Sequence, residues 1–310
     1  MNVAVTGATG TIGSELVRAL RERGDHVVAL TRDPPRARER LGDDVEARAW
    51  PDPKASPPPP EALADVEGVV HLLGEPVAQR WSDDAKREIR DSRVLGTRNL
   101  VDGLRAAGPR LRTLVSQSAS GLYGPRDDEP VDESAPAAQD RDDFLAGVVA
   151  EWEAEARRAE ELGIRVALMR TGVVLSEGGG ALEKMLPPFK LGVGGPVAGG
   201  GQYVPWVHVD DVVGAMLFAL ETDAASGPIN LAAPEPATNR ELSKVLGHVL
   251  RRPAFMPVPG FAVKVLYGDM ASIVTTGVRM VPRRLEELGY EFRRPDLEDA
   301  LRAATGRSRR

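Results

Sequence analysis

The run Gly7-Ala8-Thr9-Gly10-Thr11-Ile12-Gly13 holds the residues of this chain best suited to one defined task, the holding of a diphosphate. It follows the apolar stretch Asn2–Thr6 directly and opens a helical pattern directly. That is the setting a nucleotide-binding turn requires. Gly7 permits the tight turn, Gly10 lets a diphosphate reach the backbone, and Gly13 lets the helix pack close on the strand. The helix N-terminus adds free N–H groups and a partial positive charge. The competing reading is a glycine-rich turn with no ligand.

The end of the second strand selects the cofactor. A fold of this kind that takes NAD usually carries Asp or Glu about 20 residues beyond the glycines, on the ribose 2′-hydroxyl. Here the strand ends Leu30-Thr31-Arg32, and the next carboxylate, Asp33, falls one step into the turn. Arg32 can pair with a 2′-phosphate and Thr31 can hydrogen-bond it. This predicts NADP(H), with a solvated surface arginine as the alternative. Farther on, Ile89, Arg93, Thr97, Leu100 and Leu104 form one helical stripe that should face the sheet. An arginine there needs an anionic partner; a cofactor phosphate and a carboxylate of the protein are the two candidates.

Other polar residues near the expected cleft are Glu75, Tyr123, Arg170, Lys190 and His208. Arg170 ends the sixth strand, a natural place to meet the nicotinamide half. As a histidine, His208 is a candidate acid or base. In Val-His-Val-Asp it can equally bond the start of the next helix. Trp206 either closes the pocket or packs in the core. There is no cysteine, and the four histidines are scattered, so no metal site is expected. No Gly-x-Ser-x-Gly elbow is present, which disfavours a hydrolase.

The elements that must position these residues alternate. Asn2–Thr6, His26–Thr31, Val45–Trp50, Gly68–Leu73, Leu111–Ser116 and Ile164–Thr171 read as strands. Thr11–Arg23, about Asp83 to Ala107 and about Phe144 to Leu162 read as helices. Gly24 stops the first helix. Pro51–Pro60, with six prolines, reads as a surface loop. Near-continuous apolar strands alternating with helices imply a parallel sheet covered on both faces, an α/β Rossmann-like doubly wound fold. We assign residues 1–173 to a cofactor-binding domain, with strands near Val204–Val209 and Ile229–Ala232 returning to its sheet. Asp210 or Asp211 is expected to cap the helix through Val212–Leu220. Residues 174–203 and 235–306 read as a smaller, mostly helical substrate lobe, and Arg307–Arg310 as a frayed end.

The 310 residues are 42% apolar and 28% charged, the balance of an ordinary globular protein. The net charge of −6 argues against a nucleic-acid partner. No segment approaches the ~20 apolar residues that span a bilayer, so no membrane partner is expected. The N-terminus opens straight into the glycine motif without a signal-peptide pattern, and the expected location is the cytoplasm. The expected partner is a small-molecule substrate; the oligomeric state is open between monomer and homodimer.

Several motifs together resemble the extended short-chain dehydrogenase/reductase superfamily. They are Thr6-Gly-Ala-Thr-Gly-Thr-Ile-Gly13, His71-Leu-Leu-Gly74, Gly96-Thr-Arg-Asn99-Leu, Ser116-Gln-Ser118-Ala-Ser-Gly-Leu-Tyr123-Gly124 and Trp206-Val-His208-Val-Asp210-Asp211. Trp81 with Ser92-Arg93, Trp152-Glu153, Gly192-Val-Gly-Gly195-Pro and the tail motifs Arg252-Pro253, Pro257-Val-Pro259 and Pro282-Arg-Arg-Leu285 resemble its "epimerase family" branch, whose members are described as sugar-nucleotide epimerase-like. The resemblance implies that Leu72, Leu73 and Gly74 line the adenine–ribose side and that Ser116 and Arg93 join the cofactor site. It also places Ser118 where the catalytic Ser/Thr belongs, with Ser120 as an alternative.

One departure bears on the reaction. With Glu153 as reference, the superfamily's Tyr-x-x-x-Lys pair falls on Leu145 and Val149, neither of which moves a proton. Tyr123, Lys190, His208 or water would have to supply it. The sequence therefore supports an NADP(H)-dependent oxidoreductase or epimerase-like protein acting on a sugar-nucleotide or carbonyl substrate, with Ser118, Tyr123 and His208 as candidate catalytic residues. The alternative is a catalytically silent NADP(H)-binding sensor or scaffold.

Overall fold

The computed structural model describes residues 1–140 and 143–307. β1 (Asn2–Thr6) leads through the glycine turn into α1 (Thr11–Glu22). β2 (His26–Thr31), α2 (Pro34–Leu41), β3 (Glu46–Ala49), β4 (Gly68–His71), α3 (Asp83–Leu104) and β5 (Thr113–Ala119) follow. After a short β6 (Pro130–Val131) come α4 (Phe144–Arg157), β7 (Arg165–Thr171), β8 (Val173–Ser176) and α5 (Gly180–Lys190). Next are β9 (Tyr203–Val204), β10 (Trp206–His208), α6 (Val209–Glu221) and β11 (Gly227–Leu231). The remainder holds β12 (Ala237–Thr238), α7 (Asn239–Leu250), α8 (Gly260–Tyr267), α9 (Ser272–Thr275), β13 (Arg279–Met280), α10 (Arg283–Glu287) and α11 (Leu297–Ala304).

Among the described residues, seven strands form one parallel sheet in the order β11-β7-β5-β4-β1-β2-β3. The chain builds outward from β1 through β2 and β3, then returns to β1's other edge with β4. A sheet whose winding reverses leaves a crevice at the carboxyl ends of the strands on either side. Side chains alternate across the sheet. Val3 and Val5 join Leu16 and Leu20 of α1 and Val212 and Met216 of α6 on one face. Ala4 joins Leu100 and Leu104 of α3 and Ala156 of α4 on the other. Burial on both faces is why the strands read as unbroken apolar runs. Gly24, at φ +81°, closes α1 in the left-handed region that favours glycine.

Two expectations change, and two helices appear whose bounds were not given. The stretch Val204–Val209 does not return to the main sheet. Pro205 splits it, and β10 pairs in parallel with β8 in a separate two-stranded sheet. The divergence follows β7 at Gly172, where a Cβ would lie 1.8 Å from the Pro205 carbonyl oxygen, so only glycine lets the two segments cross. The helix after β10 starts at Val209, and its N-cap is His208, not Asp210 or Asp211: His208 Nδ1 accepts from the Asp210 N–H at 3.1 Å. Within 174–203 the lobe's helix is α5, whose bounds the sequence reading did not give and which carries Pro187 and Pro188 inside it. Between β2 and β3 lies α2, with Asp33 as N-cap and proline in its first turn.

α5, α7 and α11 bury a further apolar layer that includes Leu182, Leu246 and Leu301. Of the tail expected to fray, Arg307 alone is described, and its Nη1 donates to the Val249 carbonyl at 3.2 Å. Among the described residues no helix is long and apolar enough to cross a membrane, and no cluster of His, Cys, Asp or Glu could hold a metal ion.

Candidate cofactor site

The glycine turn sits at the mouth of the crevice between β1 and β4. Gly7 has φ +63°, and a Cβ on it would meet the Leu72 carbonyl oxygen at 2.7 Å. Gly10 N–H donates to the Gly7 carbonyl at 2.9 Å. A Cβ on Gly13 would lie 2.2 Å from that carbonyl. The turn is therefore closed to side chains. Gly10 and Thr11 are exposed, and no side chain caps α1. The first-turn N–H groups are left pointing outward for an anion.

A buried hydrogen-bond chain fixes the crevice floor. Thr6 Oγ1 accepts from the Leu72 N–H at 3.0 Å and meets His71 Nδ1 at 2.8 Å, while His71 Nε2 meets Thr97 Oγ1 at 2.9 Å. Complete burial pushes the His71 imidazole down to about 3, so the ring is neutral and links β1, β4 and α3. Sequence reasoning noted His71 within a motif but gave it no role.

Arg93 lies at the far side. Its Nη1 donates to the carbonyls of Glu75 at 2.9 Å and Ile89 at 3.1 Å, and its guanidinium rests 5.3 Å from the Trp152 ring. A Cβ on Gly74 would press on it at 3.0 Å. Among the described residues Arg93 makes no ion pair, so the protein-carboxylate alternative is set aside. Among the described residues its Nε and Nη2 have no protein acceptor, and neither is among the buried unpartnered atoms. Burial pulls its pKa down to about 10, against some opposition from Glu75, and it remains charged at neutral pH.

At the end of β2, Asp33 Oδ1 accepts from the Arg36 N–H at 3.1 Å, and Thr31 Oγ1 accepts from the Asp33 N–H at 3.2 Å. The one nearby carboxylate is thus committed to α2. Arg32 is exposed and, among the described residues, makes no side-chain hydrogen bond or ion pair.

The remaining candidates are drawn inward. Ser118 is fully buried and donates to Glu153 Oε1 at 2.7 Å. Arg170 Nε and Nη2 donate to the two Glu153 oxygens at 2.8 and 3.0 Å, and its Nη1 donates to the Tyr123 hydroxyl at 2.8 Å. That hydroxyl in turn donates to Asn230 Oδ1 at 2.7 Å. Each nitrogen of Arg170 is thereby bonded to protein, and no proton of Ser118 or Tyr123 is free. Burial pulls the Arg170 pKa down, but the bonds and charge of Glu153 outweigh it and hold the group above its ordinary value. Burial likewise pushes the Tyr123 phenol up. Ser116 is buried, with its hydroxyl on the Gln117 carbonyl at 3.3 Å. His208 serves as the α6 cap. Lys190 is exposed on α5.

The sequence reading missed the role of Glu153. The signal was present: it lies four residues after Val149 and three before Ala156 on the buried face of α4. Leu145 and Val149, where the proton-transfer pair was sought, both lie on α4. Leu145 Cβ lies 3.4 Å from where a Cβ on Gly121 would be, against the turn that follows Ser118, and Val149 is buried.

A parallel sheet with a glycine turn at its winding reversal and an arginine at the end of β2 defines a dinucleotide-binding protein of the Rossmann class. More particularly, the chain belongs to the NAD dependent epimerase/dehydratase family, whose model matches residues 3–232; a domain of unknown function matches residues 258–304. The resemblance read from the motifs is borne out. The chain is 40% identical, over 98% of its length and 86% of the relative's, to the Arabidopsis thaliana epimerase family protein SDR39U1 homolog, chloroplastic. It is 34% identical to human epimerase family protein SDR39U1 over 97% of this chain and 99% of that one. The crystal structure of human SDR39U1 (isoform 2) with NADPH matches with a TM-score of 0.87 at 32% identity, over 99% of both chains. A UDP-glucuronic acid 4-epimerase from Bacillus cereus in complex with NAD, 18% identical, shares the fold, with a TM-score of 0.78 over 99% of this chain and 96% of that one.

Proposed function

We propose that this protein binds NADP(H) in the crevice between β1 and β4 and exchanges hydride with a small carbonyl or sugar-nucleotide substrate held by residues 174–203 and 235–306. The observation that carries the cofactor reading is the end of β2. Asp33 is consumed as a helix cap, and Arg32 stands exposed and unpaired where an NAD-binding carboxylate would be. The NADPH in the human relative's crystal structure supports the same reading. The residues present fit the group. Side chains are excluded from the turn at Gly7 and Gly13, the first-turn N–H groups of α1 hold a diphosphate, and Thr31 and Arg32 hold a 2′-phosphate. The backbone of Leu72, Leu73 and Gly74 lines the ribose, and Arg93 offers Nε and Nη2 to an anion. When bound, the reduced nicotinamide supplies a hydride.

A second reading, binding without turnover, is favoured by one observation: the hydroxyls of Ser118 and Tyr123 are committed to Glu153 and Asn230. Leu145 and Val149 provide no proton in their place.

Calorimetric titration with NADPH and NADH tests the cofactor. One charge-assisted pair is worth ~1.5–3 kcal/mol, a preference of roughly 10–150-fold for NADPH. Equal affinities, or undiminished NADPH binding in Arg32→Glu, would overturn the assignment. Oxidation of bound NADPH by carbonyl and sugar-nucleotide compounds then separates the two readings. With a substrate in hand, a ~10²–10⁴-fold loss in only one of Tyr123→Phe and His208→Gln, compared with Ser118→Ala, names the acid. Unchanged turnover in all three would remove these residues from the chemistry. Tight binding with no oxidation by any compound would favour the silent reading.

A further inference from the structure

We infer that the surface formed by residues 190–193 and 251–265 docks on an anionic lipid bilayer. Leu191 (79% exposed), Phe255 (75%), Phe261 (74%) and Val265 (74%) stand in solvent, with Val193 and Met256 also exposed. Single exposed apolar side chains need no explanation, but a contiguous group does.

These are contiguous. A Cβ on Gly192 would lie 3.5 Å from Pro253, and one on Gly195 would lie 2.2 Å from the Met256 carbonyl oxygen. Val197 bridges to Val258, the Ala198 N–H donates to the Val258 carbonyl at 2.9 Å, and α8 begins at Gly260 beside Ala198. The two segments therefore run side by side and lead into α8, which carries Phe261 and Val265. The element that α8 packs against most is the turn Gly268–Ala271 that follows it.

Charge distinguishes the occupant. The chain as a whole is acidic, yet residues 184–209 and 242–268 contain no Asp or Glu. Lys190, Arg251, Arg252 and Lys264 are exposed beside the apolar side chains and, among the described residues, make no side-chain hydrogen bond or salt bridge. Of the acids bounding these stretches, Asp269 is paired with Lys86 at 2.9 Å, and Glu241 accepts from the Thr238 hydroxyl at 2.8 Å. A second copy docking through a two-fold axis would set the same patch against itself, with cation against cation. An anionic bilayer complements both features at once. Apolar tips enter the headgroup–acyl boundary, while the lysines and arginines meet the headgroups. That no helix among the described residues is long and apolar enough to cross a membrane bears on crossing it, not on lying at its surface. This inference does not depend on the cofactor reading.

Co-sedimentation of the full chain tests it, using vesicles of phosphatidylcholine alone or mixed in equal parts with phosphatidylserine. The chain is expected to bind the anionic vesicles more tightly, with binding falling as salt rises. Two double variants, Phe255→Ser with Phe261→Ser and Arg251→Glu with Arg252→Glu, change exposed side chains. Each should weaken binding by about tenfold or more at an unchanged melting temperature. Failure of the parent chain to bind anionic vesicles at low salt, or binding indifferent to both variants, overturns the inference. So does a dimer in solution that the Phe255/Phe261 variant dissolves, which would assign the patch to a second copy.

Discussion

Replacing Glu153 by alanine should cost more than any other single change near the crevice, and the reason can be worked from its contacts. Glu153 accepts two bonds from Arg170 and one from Ser118, and both charged side chains are only 7% exposed. Without Glu153 the guanidinium keeps the Tyr123 hydroxyl and a long bond to the Glu133 carbonyl at 3.4 Å. A buried charge stripped of its partner costs ~3–5 kcal/mol. Arginine does not escape by losing its proton. In a protein of this size ~1 kcal/mol shifts the melting temperature by roughly 2–4 °C, so Glu153→Ala should fall by roughly 6–20 °C. Urea denaturation of the apo-protein gives the free energy directly. The double variant Glu153→Met with Arg170→Met removes both charges and should recover most of the loss, because apolar replacement of a buried ion pair is often neutral. A Glu153→Ala protein within ~1 kcal/mol of the parent, or a double variant no better than the single one, would refute the reasoning that this pair is a closed structural network.

His71 gives a pH dependence with a definite sign. Its pKa is about 3 when folded against ~6.5 unfolded. The stability is present above the unfolded value and is lost as pH falls toward the folded one, at up to ~1.4 kcal/mol per pH unit. Denaturation of His71→Gln across that window should show a slope shallower by this amount, and equal slopes would exclude the effect. Arg93→Ala should weaken NADPH in a calorimetric titration while the apo melting temperature moves by only a few degrees, since two carbonyl bonds and no ion pair are lost; collapse of apo stability would make Arg93 structural. Gly147, exposed in α4 with open space where a Cβ would go, should gain ~0.5–1 kcal/mol on substitution by alanine. A loss measured by denaturation would contradict that open space.

The alternation of strands and helices, the glycine turn and the end of β2 were all legible in the sequence. Each is local: chain handedness and the side-chain periods of strand and helix act within a few residues, and a β-α-β unit then packs in one hand. The bounds of α5 were not legible because Pro187 and Pro188 remove two donors from a short helix that tertiary packing of Leu182 and Phe189 nonetheless sustains. The departure of β10 from the main sheet depends on a single close crossing at Gly172. The fates of Ser118, Tyr123 and Arg170 were decided by partners distant in the chain: Glu153 lies 35 residues from Ser118, and Asn230 lies 107 from Tyr123. A hydroxyl reads the same in sequence whether it faces a substrate or a buried carboxylate. Only the packing of α4 and β11 against the ends of β5 and β7 removes water from these groups, and it is that loss of water which obliges each polar atom to take the partner it has.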